Sequence, residues 1–248
     1  TDGCSSRSGM EELVCAVLNN GVRIPAIGYA VTCDSMSDEL ALRTALDSGF
    51  RFLDTDAGSG NEGQLGAVLQ DYTKRFVPRE DLFVSTKNDI RPEQKQKELL
   101  EAWKALADLS NQGLARSIGL ANASLAEVKA VTEGSDVKPA VVQVHQCELV
   151  RDSKLLQYCR EQDIHLVVHL DTEGNIPGGF VPDNQRPSFK NKSTNQVLGR
   201  FYLENNVSVV IHEKDPARIQ HAFKMLDFSV SSEELSTLKS RRLVPNGF

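Results

Sequence analysis

Apolar positions recur along this chain in two alternating periods, strand-like runs followed by helix-like stripes, from near residue 13 to residue 240. The alternation predicts a parallel α/β architecture, because a parallel strand needs a crossover to return the chain to the same end of the sheet. Residues 13–18 and 21–27 flank Asn19-Asn20-Gly21, which tolerates positive φ, and are expected to pair as a hairpin. Strands are expected at 26–31, 50–54, 82–87, 115–121, 140–145, 164–170 and 207–212. Helices are expected at 37–48, 61–74, 92–110, 124–133, 153–162, 193–204, 216–226 and 232–240. In the first helix Leu40, Leu42, Ala45 and Leu46 form the expected buried stripe, stopped by Gly49. The helix opened by Pro92 carries Leu99, Leu100, Trp103, Leu106 and Leu109 on one face, with Trp103 as a core or interface anchor.

Seven strands in this order fall one short of a closed (β/α)₈ barrel. The rhythm breaks between Lys87 and Ala115, where no strand-like run occurs. No linker or composition shift divides the chain, so residues 1–248 are expected to form one domain, with 1–12 irregular and a long Gly/Pro/Asn-rich loop at 172–192.

Composition adds exclusions. A 40% hydrophobic, 25% charged chain has the apolar content for a sizeable core. A net charge of −6 argues against nucleic acid or an anionic membrane as the main partner. No apolar run approaches a membrane span, which leaves association with a membrane complex only through other subunits. Cys4, Cys15, Cys33, Cys147 and Cys159 have no metal spacing, and their odd number fits an intracellular reducing compartment. A start at Thr1 rather than Met is compatible with a cleaved leader and hence an organelle.

The stretch Leu53-Asp54-Thr55-Asp56-Ala57-Gly58-Ser59-Gly60-Asn61-Glu62 resembles an active-site motif of the aldo-keto reductases. Further landmarks follow in that family's order: 18–28 as an opening hairpin, 79–87 as the lysine-bearing strand, and 113–122, 142–144, 215–219 and 227–228. The resemblance covers about 14–240 and implies an aldo-keto-reductase-type barrel derived from the TIM fold, with an N-terminal hairpin. It also makes the break specific: the family places a strand–helix unit, its fourth, between the lysine strand and Trp103, and only fifteen residues lie there. That unit is expected to be missing, and with it the catalytic histidine.

The family's catalytic aspartate and lysine match Asp54 and Lys87, while Ser59 stands at the tyrosine's position. A serine hydroxyl is far less acidic than a tuned phenol, so Asp54 and Lys87 are expected to be remnants. For the cofactor the resemblance implies Asn122 and Gln143 at the carboxamide, His169 in place of the stacking tyrosine, and Glu213 and Arg218 near the adenosine phosphate. A carboxylate at Glu213 would repel a 2′-phosphate and could accept from a ribose hydroxyl, which disfavours NADP and leaves NAD conceivable. The expectation is therefore no cofactor, with NAD(P) as the alternative. No metal site is expected: His165 and His169 share a strand face near His145, but no further ligands can be placed. Gly58-Ser59-Gly60 lacks a phosphate-loop pattern and is expected to be a plain turn.

The expected function is a non-catalytic subunit, structural or regulatory, of a larger complex, because strands 82–87 and 115–121 would present unpaired edges for other protein subunits to cover. One alternative is an NAD(P)H-dependent oxidoreductase of aldehydes or ketones, with Lys87 or a nearby group as the acid. Another comes from a resemblance of 117–119, 137–139 with 143–144, and 163–171 to the regulatory subunit of glutamate–cysteine ligase.

Overall fold

The computed structural model describes residues 15–31, 36–60, 62–87, 96–151, 153–170, 175–176, 179–180, 189 and 192–245. The chain opens with β1 (Cys15–Val17) and β2 (Arg23–Pro25), paired antiparallel. Gly21 in their turn sits at φ 81°, which a side chain would resist. Then come β3 (Ile27–Ala30), α1 (Met36–Asp47), β4 (Phe52–Asp56), α2 (Glu62–Arg75), β5 (Phe83–Lys87), α3 (Gln96–Asn111) and β6 (Gly119–Ala121). The second half adds α4 (Leu125–Gly134), β7 (Val141–His145), α5 (Gln146–Arg151), α6 (Ser153–Glu161) and β8 (His165–Leu170). After a two-stranded ribbon of β9 (Asn175–Ile176) and β10 (Gly179–Phe180), the chain closes with α7 (Thr194–Glu204), β11 (Ser208–Ile211), α8 (Pro216–Phe223) and α9 (Ser232–Ser240).

Seven parallel strands form one sheet in the order β5-β4-β3-β11-β8-β7-β6, a nearly closed barrel ringed by helices. Among the described residues no strand lies between β5 and β6, so the unit missing from the sequence is missing from the sheet. Of the helix expected at 92–110, the part before Gln96 lies outside the described residues, as does most of the loop expected at 172–192.

Alternate residues of the strands enter two separate cores. Leu53, Val142, Leu166, Val168 and Val209 pack outward with helix residues such as Leu46, Val128 and Leu156. Phe52, Val167 and Val210 turn inward and meet Leu18 and Ile24 of the hairpin, which plugs the N-terminal end of the lumen. Gly28 makes room for this inner core, since a Cβ there would lie 2.6 Å from the Phe52 ring. Each such buried side chain contributes about 1.5–3 kcal/mol. Trp103 of α3 is buried, as expected of an anchor, and its indole N–H donates to the Val137 carbonyl at 2.9 Å.

Three local expectations need correction. Leu40 is 58% exposed; the buried face of α1 is Ala41, Leu42, Ala45 and Leu46. A stripe one residue to the side serves because Ala41 and Ala45 let the helix lie close on its neighbours. β4 runs 52–56 rather than 50–54, because Phe50 packs edge-on against Tyr29 and Phe223 before the strand begins. β6 keeps only 119–121 of the expected 115–121. It lies so close to β7 that a Cβ on Gly119 would be 2.4 Å from the Val141 carbonyl oxygen.

Candidate active site

Strand parity builds the upper, C-terminal end of the lumen. Phe52 and Val167 face inward, so Asp54 and His169, two residues further on, face the same way. Ser85 and Lys87 alternate on β5, and Gln143 and His145 on β7. Four separate strands thus deliver polar side chains to one place, at the barrel end opposite the hairpin.

Asp54 is the centre. Its side chain is 1% exposed and Lys87 Nζ donates to Oδ2 at 2.5 Å. Ser85 Oγ donates to Oδ1 at 2.5 Å, and Gln143 Nε2 donates to Oδ2 at 3.1 Å. His169 Nε2 lies 3.0 Å from the same Oδ2 and 3.3 Å from Lys87 Nζ. The Gln143 amide also contacts His169 Nε2, and the His145 ring lies 5.5 Å from the His169 ring. Lys87 keeps 21% of its side chain exposed, so the cluster has a solvent-facing cation over a buried anion.

Burial works to raise the Asp54 pKa, but the hydrogen bond from His169 and the charge of Lys87 outweigh it and hold the carboxyl below its ordinary value. Burial lowers the His169 pKa, and the charges of Lys87 and His145 add to that against the opposing pull of Asp54. His169 is therefore a neutral imidazole at neutral pH. Its Nε2 can accept from Lys87 or, in the other tautomer, donate to Asp54, but not both at once.

The other expected site residues fall into three places. Ser59 ends a 3₁₀ turn (Ala57–Ser59) directly after β4, in which Asp56 Oδ1 accepts from the Gly58 N–H at 2.7 Å; Gly58-Ser59-Gly60 is the plain turn expected. Asn122 follows β6 with φ 53° and its backbone N–H donates to the Gln143 carbonyl at 2.8 Å, so it borders the cluster. Glu213 and Arg218 sit apart, after β11 and on α8. Glu213 Oε1 accepts from the N–H groups of Lys214 and Asp215 at 2.9 and 3.1 Å, and Arg218 lies 3.8 Å from Oε2.

His165 and His169 share a face of β8 yet do not meet. His165 lies at the hairpin end, where its Nε2 is 2.8 Å from Ser208 Oγ and burial pushes its pKa down to about 4. Among the described residues no three or more His, Cys, Asp or Glu side chains are grouped to hold a metal. Besides its expected place as a stacking residue, His169 has its ring nitrogen engaged with Asp54, Lys87 and Gln143. Sequence reasoning missed this and the contribution of Ser85. Counting strand parity inward from Asp54, Lys87 and Gln143 was the signal that could have found both.

The Aldo/keto reductase family model matches residues 90–192. A methylglyoxal reductase of Yersinia pestis is 28% identical over 255 positions, covering 88% of this chain and 89% of its own. An aldo-keto reductase of Mycolicibacterium smegmatis is 27% identical and covers 92% of this chain and 95% of its own. The Yersinia alignment is longer than the 248-residue chain while using only part of it, so the relative has positions that this chain lacks. The crystal structure of an aldo/keto reductase from Brucella melitensis superposes with a TM-score of 0.77 at 24% identity, covering 91% of this chain and 98% of that one. An aldo-keto reductase complexed with NADPH superposes at 0.76 with 21% identity, over 94% of this chain and 88% of its own. Residues 90–192 thus match the Aldo/keto reductase family model, and the relatives and structural neighbours named here, to which the chain is similar over most of its length, are reductases of that kind.

Proposed function

We propose that the chain is an oxidoreductase that reduces aldehydes or ketones, with Lys87 rather than a phenol as the proton donor. The observation that carries this is the Lys87–Asp54–His169–Gln143 cluster, which places a partly exposed ammonium at the open end of the lumen. Lys87 would donate to the carbonyl oxygen as it becomes negative. Asp54 would hold the donor in place, and solvent reaching the partly exposed Nζ would reprotonate it afterwards. What a bound dihydronicotinamide would supply here is a hydride for the carbonyl carbon. Asn122 and Gln143 border the cluster and would hold its carboxamide, Gln143 by exchanging its present partners.

The residues fit a dinucleotide lacking the 2′-phosphate. At the far end both nearby cations already face carboxylates of the chain: Arg218 faces Glu213, and Lys214 pairs at 2.9 Å with Asp38, which is 1% exposed. A phosphate would meet the Glu213 charge while both of these cations already face carboxylates. Fluorescence titration with NADH and NADPH tests this. Saturable NADH binding, weaker for NADPH by about tenfold or more and equalised by Glu213→Gln, supports it, with tenfold corresponding to about 1.4 kcal/mol. Absence of binding for both refutes it.

A non-catalytic role as a subunit of a larger complex is favoured by a different observation, the two sheet ends β5 and β6 that do not pair with each other. Such edges offer unpaired backbone groups to another polypeptide. On that account a gentle purification brings down a stoichiometric partner, a ligase catalytic subunit if the second resemblance is the informative one. A stable monomer without partners counts against it.

A further inference from the structure

We propose that Lys87 is also a carbonyl-capturing nucleophile, which condenses with small aldehydes to a protonated imine without any dinucleotide. Three features of the cluster point there. Lys87 ends a barrel strand with 21% of its side chain exposed, so a small aldehyde can reach Nζ. A neutral ring nitrogen stands 3.3 Å from that Nζ, within reach to exchange a proton with it. Asp54 Oδ2 is within reach of both, 2.5 Å from Nζ and 3.0 Å from His169 Nε2.

The third feature decides the matter. When the proton passes from Lys87 to His169, the buried carboxylate exchanges an ammonium partner for an imidazolium partner and is never left alone. Removing a partner outright is what makes breaking such pairs costly. Among the described residues, the other groups facing the ring are His145 and the uncharged Gln143.

The step balances without an oxidant or reductant. The free pair on Nζ forms the N–C bond, and the carbonyl π electrons move to oxygen. That oxygen takes a proton from Nζ, giving a carbinolamine. His169 then returns its proton to the hydroxyl, the C–O bond breaks, water leaves, and the nitrogen pair closes the C=N⁺ bond. Lysine ammonium and aldehyde have become iminium and water, and the cation opposite Asp54 is retained. An amine activated by an adjacent general base is a recognised setting for such condensations.

The test is reductive trapping: the whole chain is incubated with propanal and sodium borohydride, with no nicotinamide added, and the propylated lysines are mapped by mass spectrometry. Lys87 is expected to label ahead of exposed lysines such as Lys104 and Lys129. His169→Gln should slow Lys87 labelling by about a hundredfold, the scale of a lost general base, while leaving surface labelling unchanged. Lys87→Arg should abolish the fast adduct, and site mapping in the unaltered chain stands even if that variant fails to fold. Labelling of Lys87 no faster than the surface lysines, or a rate indifferent to His169→Gln, overturns the proposal. The assay uses no dinucleotide, so it can fail while reduction by NADH succeeds, and the reverse.

Discussion

The lumen has two ends, and one strand places a histidine at each. His169 and His165 lie four residues apart on the same face of β8. At the upper end His169 meets Asp54, Lys87 and Gln143; at the lower end His165 meets the hydroxyl of Ser208 beneath the hairpin plug. Burial depresses both pKa values, yet only His169 has an anion and a cation to exchange protons with. The same side chain thus touches charged groups at one end and a neutral hydroxyl at the other. What distinguishes them is the identity of the neighbours, not depth.

The comparison can be broken most forcibly from above. Asp54→Asn leaves Lys87 without its anion and should cost about 3 kcal/mol in urea unfolding, the low end for a broken buried pair because Lys87 retains solvent access. A cost under about 1 kcal/mol would mean that the upper cluster is as weakly coupled as an exposed ion pair.

Acid separates the two ends by pH. His165 has a folded pKa near 4 against an ordinary 6.5, so below pH 6.5 the unfolded chain takes up the proton first. Its stabilising contribution is complete above pH 6.5 and is lost as pH falls toward 4, by about 3 kcal/mol in all. His169 is also depressed and adds to the loss below pH 6.5. Asp54 is depressed from 3.8, so its contribution is complete above that pH and disappears only below it, as the carboxyl protonates. Unfolding free energies measured from pH 7 to 3 should show the upper window reduced in His165→Gln and kept in Asp54→Asn. Identical pH profiles for the two variants would erase the distinction.

The smallest effect lies below. Ser208→Ala removes the hydroxyl facing His165 Nε2 and should cost about 1 kcal/mol, the value of one neutral buried hydrogen bond. It should leave reactions at Lys87 untouched; a change in Lys87 labelling would show that the ends communicate.

The barrel was largely legible because parallel strands carry apolar residues on both faces, and seven such runs stand out between helices. The gap after Lys87 was legible too, since no strand-like run can be found in residues 88–114. Exact placement was harder at Leu40 and at 50–56, where small alanines and a cluster of aromatic rings, not hydrophobicity, decide which residues turn inward. Asp54 and Lys87 could be singled out because their spacing to neighbouring motifs is distinctive, and their side chains do meet. For His169 the sequence offered only a stacking role, and its polar partners were not read from it. Motif matching compares residue types one position at a time, whereas its role depends on three other strands meeting in space. Glu213 was read only as a charge that would repel a 2′-phosphate; its approach to Arg218, at 3.8 Å, was not foreseen.

The most direct measurement of the central claim is single-turnover aldehyde reduction with NADH, comparing the unaltered chain with Lys87→Met. If the ammonium over Asp54 is the acid, the chain oxidises NADH in an aldehyde-dependent manner and Lys87→Met slows it by about 10²–10⁴-fold. Aldehyde-dependent turnover unaffected by Lys87→Met, or none at all with saturating NADH bound, would contradict it.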